Sequence, residues 1–300
     1  MKAHPLMTAL DQVGDSAAVL TSGVVAPVIP GLEIEGLGAV PLPASPDTLK
    51  AIRKLASRAP YGRGLETVVD LEVRKVWQIE ADQVRLTNPD WAATTQEVLE
   101  RVAEDLQISG KIEASFYKLL LYEPGGFFAH HRDSEKAERM FATLVICLPT
   151  AHQGGELVVE HEGRVYQADF SQHSAFRVQF AAFYADCLHE VKPVTDGHRL
   201  CLVYNLCLRA KIQPRPPQLD QYIKRTASEL AQLVPATLEK LVVQLSHEYT
   251  AGGLSVEGLK GGDRARWELL WRAAQSLNLN CHLGSLDLYQ EGIAEEEYNR

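Results

Sequence analysis

The chain has 300 residues and a mass of 33.2 kDa, with 46% hydrophobic and 23% charged residues. This excludes collagen, wholesale disorder and low-complexity polymers, and leaves room for one principal core with extensions. A net charge of −9 argues against a general nucleic-acid surface, and five cysteines with no C-x-x-C pair argue against a disulfide or zinc framework and for reduced thiols.

The N-terminal segment has no long apolar run, so neither a signal peptide nor a membrane span is expected. The expectation is a soluble, cytoplasmic protein. Residues 1–45 are rich in Gly, Pro and Val, with PVIPGLEIEGLGAVPLP in the middle, and read as a loose leading tail followed by a short strand or two. Ser45 and Pro46 read as an N-cap and first helical residue, followed by Leu49, Ile52 and Leu55 at helical spacing. A second helix is expected near Thr94, with Thr94 and Glu97 as a capping box and Leu99, Val102, Ala103 and Leu106 as its apolar stripe.

From about residue 112 the pattern changes. SFYKLLLYE, FATLVICLP, GELVVEHEG, RVYQADF, SAFRVQFAAFYA, HEVKPV and RLCLVYNLCL are short β-rich runs between Gly, Pro and Asp turns. Their connections are too short for crossover helices, so the reading is an antiparallel sandwich, barrel or jelly roll. A proline-rich break, IQPRPPQ, follows. Two helical stripes come after it: Leu219, Tyr222, Ile223, Leu230 and Leu233, then Trp267, Leu270, Trp271 and Ala274. TAGGLSVEGLKGGD between them reads as loop, and EEEYNR at the end as a solvated charge run. The expected division is 1–110 as an N-terminal α/β extension, 111–210 as the β domain and 211–300 as a mostly helical region.

The sharpest local feature is His130-His131-Arg132-Asp133, after the strand SFYKLLLY and the turn EPGG. Alternation along a strand puts His131 and Asp133 on one face, where they can share a metal, with His130 and Arg132 on the other. On its own such a pair occurs often by chance. Downstream, His189 opens one strand and Arg199 opens the last. Two imidazoles and a carboxylate on a jelly roll make the facial triad of non-haem Fe(II) oxygenases, with three positions open for a bidentate 2-oxo acid and dioxygen. Arg199 suits the acid's far carboxylate. The filled site then sums to zero charge: iron +2, Asp133 −1, Arg199 +1 and the diacid −2.

Through LYEPGGFFAHHRDSEK, FATLVICLP, GGELVVEHEG and FYADCLHEVKPVTDGHRLCLVYNL, the chain resembles the Fe(II)/2-oxoglutarate-dependent dioxygenases, in the branch similar to prolyl 4-hydroxylases. The resemblance implies an α+β fold: a double-stranded β-helix (jelly-roll) core buttressed by N-terminal and C-terminal helices. It implies His131, Asp133 and His189 as iron ligands, Arg199 as the 2-oxoglutarate anchor and Tyr122 as a cosubstrate contact. Fe(II), 2-oxoglutarate and O2 are the implied cofactors, with ascorbate as an optional supporting reductant. The implied reaction hydroxylates a substrate C–H bond and releases succinate and CO2. A protein side chain such as prolyl is favoured over a small molecule as substrate.

Some relatives carry a tyrosine near the position of Cys147. Here Thr143, of the same strand parity, is the substitute contact. Lys118 shares parity with Tyr122 and is either a second cosubstrate cation or a lysine snorkelling at the strand edge. Asp186, three residues before His189, is a candidate to orient a ligand imidazole. His152, His161 and His173 read as solvated, and His247 as a packing or surface residue of the C-terminal flank. The competing readings are a catalytically silent jelly-roll binding module and a cupin-type metal enzyme that does not use 2-oxoglutarate. The second leaves Arg199 unexplained.

Overall fold

The computed structural model describes residues 5–14, 18–26, 28–63, 66–108, 110–209, 220–233 and 240–286. The β-rich runs pair, always antiparallel among the described residues, into two facing sheets. The larger has seven strands in the order Leu20–Val24, Gln179–Tyr184, Met140–Cys147, Arg199–Arg209, Lys111–Tyr122, Trp77–Glu80 and Ser57–Arg58. The smaller has four: Phe128–His131, Leu188–Val191, Leu157–His161 and Arg164–Ala168. Strands adjacent in space come from distant parts of the chain, as in the expected jelly roll. The fold is α+β, with a double-stranded β-helix core.

The central strands are buried on both faces. Every residue from Arg199 to Tyr204 is shielded, because one face lines the barrel and the other is covered. The helix Trp91–Asp105 buries Trp91, Val98, Leu99 and Val102 in the same core, and the Trp91 indole donates to the Tyr204 hydroxyl at 3.1 Å. Such double burial explains why these strands read as continuous apolar runs rather than strict alternation.

The Ser45 cap forms as expected. Its hydroxyl accepts from the Thr48 N–H, and Pro46–Leu55 follows with Leu49 and Ile52 buried. The Thr94–Glu97 capping box does not form. The helix begins a turn earlier, at Trp91, and the Thr94 hydroxyl donates back to the Asp90 carbonyl inside it.

The segment read as a loose tail contains a helix, Pro5–Gly14. Its Leu6 and Leu10 pack with Leu230 of Asp220–Leu233 and with Ala265, Leu269 and Ala274 of Gly261–Ser276, in a second, smaller core. Leu219 and the segments IQPRPPQ and EEEYNR lie outside the described residues. In Gly261–Ser276 the expected stripe is rotated: Trp271 is 42% exposed, while Asp263, Arg266, Leu269 and Ala273 are buried. Arg266 pairs with Asp11 at 3.0 Å and Asp263 at 3.5 Å, so charged residues occupy part of the inward face. The loop expected through Asp263 stops at Lys260, since Gly261 already begins the helix. Among the described residues no helix is long and apolar enough to cross a membrane.

Candidate active site

The turn at Pro124-Gly125-Gly126 reverses the chain so that Phe128–His131 lies along Leu188–Val191, with His131 directly opposite His189. Cross-strand neighbours share a face, so both imidazoles project into the space between the sheets. Their ring centroids are 4.1 Å apart. The strand ends at His131, so Asp133 is not placed by strand alternation as expected. Instead its N–H donates to the Ala185 carbonyl at 3.0 Å, which swings the carboxylate back over the two rings. Asp133 Oδ1 lies 3.7 Å from His131 Nε2 and Oδ2 lies 3.7 Å from His189 Nε2.

Each imidazole is oriented by the backbone. His131 Nδ1 lies 2.8 Å from the Ala129 carbonyl and His189 Nδ1 lies 2.9 Å from that of Cys187. A carbonyl only accepts, so the proton sits on Nδ1 and the Nε2 lone pair faces Asp133. Phe128 stacks on His131 at 3.4 Å, and Phe183 packs on His189 at 4.4 Å. Burial, reinforced by His189, pushes His131 down to about 3. Burial alone would raise the Asp133 carboxyl. His189, His131 and a 2.6 Å hydrogen bond from the Thr143 hydroxyl hold it below its ordinary value instead. The result is a carboxylate beside a neutral His131 imidazole, a pairing suited to metal binding. These three donors lie within 4.8 Å of one another. Bonds of ~2.1 Å at right angles place donors about 3 Å apart, so small side-chain rotations close them around one ion.

Arg199 sits across from Tyr122 on the neighbouring strand and is 1% exposed. Its guanidinium donates to the Gly155 carbonyl at 2.8 Å and to Cys147 Sγ at 3.3 Å, and lies over the rings of Phe170 (4.7 Å) and Tyr122 (5.3 Å). Gly155, at φ +75, lets the chain turn close to Arg199; a Cβ there would lie 2.9 Å from Val194. Among the described residues no carboxylate pairs with Arg199. A buried guanidinium with no carboxylate partner readily takes an anion, which fits the far carboxylate of a 2-oxo diacid.

The triad, Arg199, Tyr122, Thr143 and Lys118 all line one cavity of about 350 Å³. Burial pushes Tyr122 up to about 12, so it is a neutral phenol and a hydrogen-bond donor. Thr143 spends its hydroxyl hydrogen on Asp133. Lys118 points inward, its ammonium donating to Gln78 Oε1 at 2.8 Å, and burial, with Arg74 nearby, lowers it to about 8. Cys147 stands beside Arg199 and also lies 3.3 Å from Cys201 Sγ.

Arg74 belongs to the site without having been singled out in the sequence. Its guanidinium lies 4.2 Å over Phe128 and donates to the Pro60 carbonyl at 2.6 Å, and its buried Nε has no partner. An isolated bridge from Arg74 to Phe128 brings it there, and nothing local in the sequence marks that pairing. Three other readings need correction. Asp186 does not orient His189; it accepts from His247 at 3.0 Å and Lys260 at 2.8 Å. His152 is buried, with Nδ1 3.0 Å from the Thr150 carbonyl. His161 stacks on His247 rather than facing water. His130 does face outward, 3.2 Å from both Glu160 and Glu190.

Residues 117–207 match the profile of the 2OG-Fe(II) oxygenase superfamily. No curated protein matches the chain. Among solved structures, a Pseudomonas putida prolyl-4-hydroxylase is similar at 17% identity over 68% of this chain and 100% of that one, with a TM-score of 0.39. A Trichoplax adhaerens prolyl hydroxylase, in complex with a hypoxia inducible factor oxygen degradation domain peptide fragment, is similar at 13% identity over 67% and 90%, with a TM-score of 0.40. The viral collagen prolyl hydroxylase of Paramecium Bursaria Chlorella virus-1 is similar at 14% identity over 66% and 99%, with a TM-score of 0.36. Over residues 117–207 the chain is thus similar to the 2OG-Fe(II) oxygenase superfamily, whose cofactors are Fe(II), 2-oxoglutarate and O2.

Proposed function

We propose that the protein is a 2-oxoglutarate-dependent hydroxylase whose catalytic unit is residues 111–210. The observation that carries the reading is that one cavity holds both the His131, Asp133 and His189 donors and a buried Arg199 with no carboxylate partner among the described residues. In this reading the three donors hold Fe(II), and Arg199 forks onto the far carboxylate of 2-oxoglutarate. When bound, iron and cosubstrate supply the oxidising power, and 2-oxoglutarate leaves as succinate and CO2. The protein's own groups position and exclude. Thr143 fixes the Asp133 carboxylate, Tyr122 donates toward the cosubstrate, and Phe128 and Phe183 keep water from the imidazoles. Thr143 also lines the cosubstrate side of the cavity, and Lys118 adds a second cation there.

The substrate we infer is a protein side chain, with prolyl favoured, in an acidic segment. Arg74, Lys118, Arg132 and Lys136 line the cavity besides Arg199, and among the described residues the only carboxylate in its wall is Asp133. That charge pattern attracts an anionic segment and repels a basic one. A silent binding module has no need of the triad's open coordination positions, and a cupin enzyme without 2-oxoglutarate leaves the Arg199 charge uncompensated.

The test is succinate release with Fe(II), 2-oxoglutarate and proline-containing peptides flanked by Asp or by Lys. Turnover stimulated by the Asp-flanked peptides and absent in Asp133→Ala supports the reading. Equal succinate release from metal-replete Asp133→Ala overturns it.

A further inference from the structure

We propose that His161, Cys187 and His247 form a second metal site, which takes a zinc ion and clasps the C-terminal segment to the jelly roll. One donor atom from each residue lies within 4.8 Å of the other two. His161 ends the strand Leu157–His161, and Cys187 sits in the turn before Leu188–Val191. His247 comes from the segment between the last two described helices, Asp220–Leu233 and Gly261–Ser276. The three therefore meet across the joint between the β core and the C-terminal region. Cys187 is 1% exposed and His247 6%.

The surroundings of His247 are those of a metal ligand. Its Nδ1 faces Asp186 Oδ2 at 3.0 Å, and that carboxylate also takes the Lys260 ammonium at 2.8 Å and the Glu248 N–H at 3.0 Å. A carboxylate locked by three donors holds one ring nitrogen and leaves Nε2 as the free donor, the usual outer partner of a ligating histidine. The His161 ring stacks on His247 at 4.3 Å and 18°, and among the described residues neither the His161 ring nor the Cys187 thiol makes a hydrogen bond. The sheet, the turn and the C-terminal segment thus converge three donors, two of them unused.

The donor chemistry selects the ion. One thiolate and two imidazoles, with no carboxylate among them, suit Zn²⁺ rather than a hard cation, and water completes the tetrahedron. Bonds of ~2.0–2.3 Å require donors roughly 3.3–3.8 Å apart, within reach of side-chain rotation from the observed spacing. As the sulfur–zinc bond forms, the Cys187 thiol proton passes to solvent. The set differs from the first cluster, in which the carboxylate is itself a donor and the site opens on the cavity.

The test uses the full chain carrying His131→Ala and Asp133→Ala, which removes the first cluster, titrated with Co(II). One equivalent should bind with a near-ultraviolet thiolate-to-cobalt band and tetrahedral visible bands, and Zn²⁺ should displace it. Adding Cys187→Ser should abolish the thiolate band. Zinc should raise Tm by several degrees in the parent but not in the Cys187→Ser protein. As an independent measurement in the otherwise unaltered chain, Cys187→Ser should lower the zinc content by one equivalent. A stacked histidine pair that serves packing alone gives no thiolate band and no change in zinc content, and either result overturns the proposal. Failure of the iron reading would show elsewhere, as a lack of 2-oxoglutarate turnover.

Discussion

Two histidine clusters flank one short strand, and they use their carboxylates in opposite ways. His189 stands within Leu188–Val191 and faces the cavity, while Cys187 precedes that strand and faces the C-terminal segment. In the cavity cluster Asp133 is 3.7 Å from both imidazoles and is held by Thr143, so in the proposed reading its carboxylate is one of the metal donors. In the joint cluster Asp186 is saturated by His247, Lys260 and Glu248, so it orients a donor and ties two parts of the chain together. In the proposed reading, the same residue types therefore make an open, reactive arrangement in one place and a closed, cohesive one in the other. What separates them is whether the carboxylate's remaining lone pairs are free.

The largest effect should come from His131→Ala, Asp133→Ala or His189→Ala. Each should reduce 2-oxoglutarate-dependent succinate release to background while leaving the thermal unfolding transition in place. Next is Asp186→Ala, which should act on stability rather than on chemistry. It leaves Lys260, with a side chain 7% exposed, without its carboxylate, a loss of about 3–5 kcal/mol read by denaturant unfolding. If Asp186→Ala abolished cosubstrate binding in folded protein, the two clusters would not be separable. Arg199→Lys keeps the charge but loses the fork, so KM for 2-oxoglutarate should rise roughly 10- to 100-fold. Thr143→Val removes the hydrogen bond to Asp133 and should weaken Fe(II) binding about tenfold by equilibrium titration, with Thr143→Ser restoring it.

The smallest effect concerns Lys118. Burial, with Arg74 close by, lowers its ammonium to about 8, against roughly 10.4 in an unfolded chain. The unfolded state therefore binds this proton more tightly, and stability should rise with pH between those two values. Lys118→Met should flatten that rise in a Tm-against-pH series.

Much of the cavity site was legible because its signals are local. Turn glycines, runs of β-formers and the spacing of His131, Asp133, His189 and Arg199 are all visible in the chain. Asp133 reached the expected place by another route, a backbone hydrogen bond to Ala185 after the strand had ended. What stayed hidden depends on distant partners. Arg74 enters the site through a single bridge to Phe128, and the helix Pro5–Gly14 finds its apolar partners only in the C-terminal helices. In Gly261–Ser276 the buried Arg266 pairs with Asp263 and Asp11, so polar residues face inward and Trp271 faces out. A periodicity of apolar residues cannot reveal a face whose burial is made tolerable by ion pairs.

The central claim is that one iron and one 2-oxoglutarate share the cavity between the sheets. Anaerobic titration with Fe(II) and 2-oxoglutarate, followed by visible absorbance, tests it most directly. The wild-type chain should develop a metal-to-cosubstrate band that saturates at one equivalent of each; Asp133→Ala should show none, and Arg199→Lys should need far more 2-oxoglutarate to reach it. Absence of the band in the wild-type chain, or its persistence in Asp133→Ala, would contradict the account.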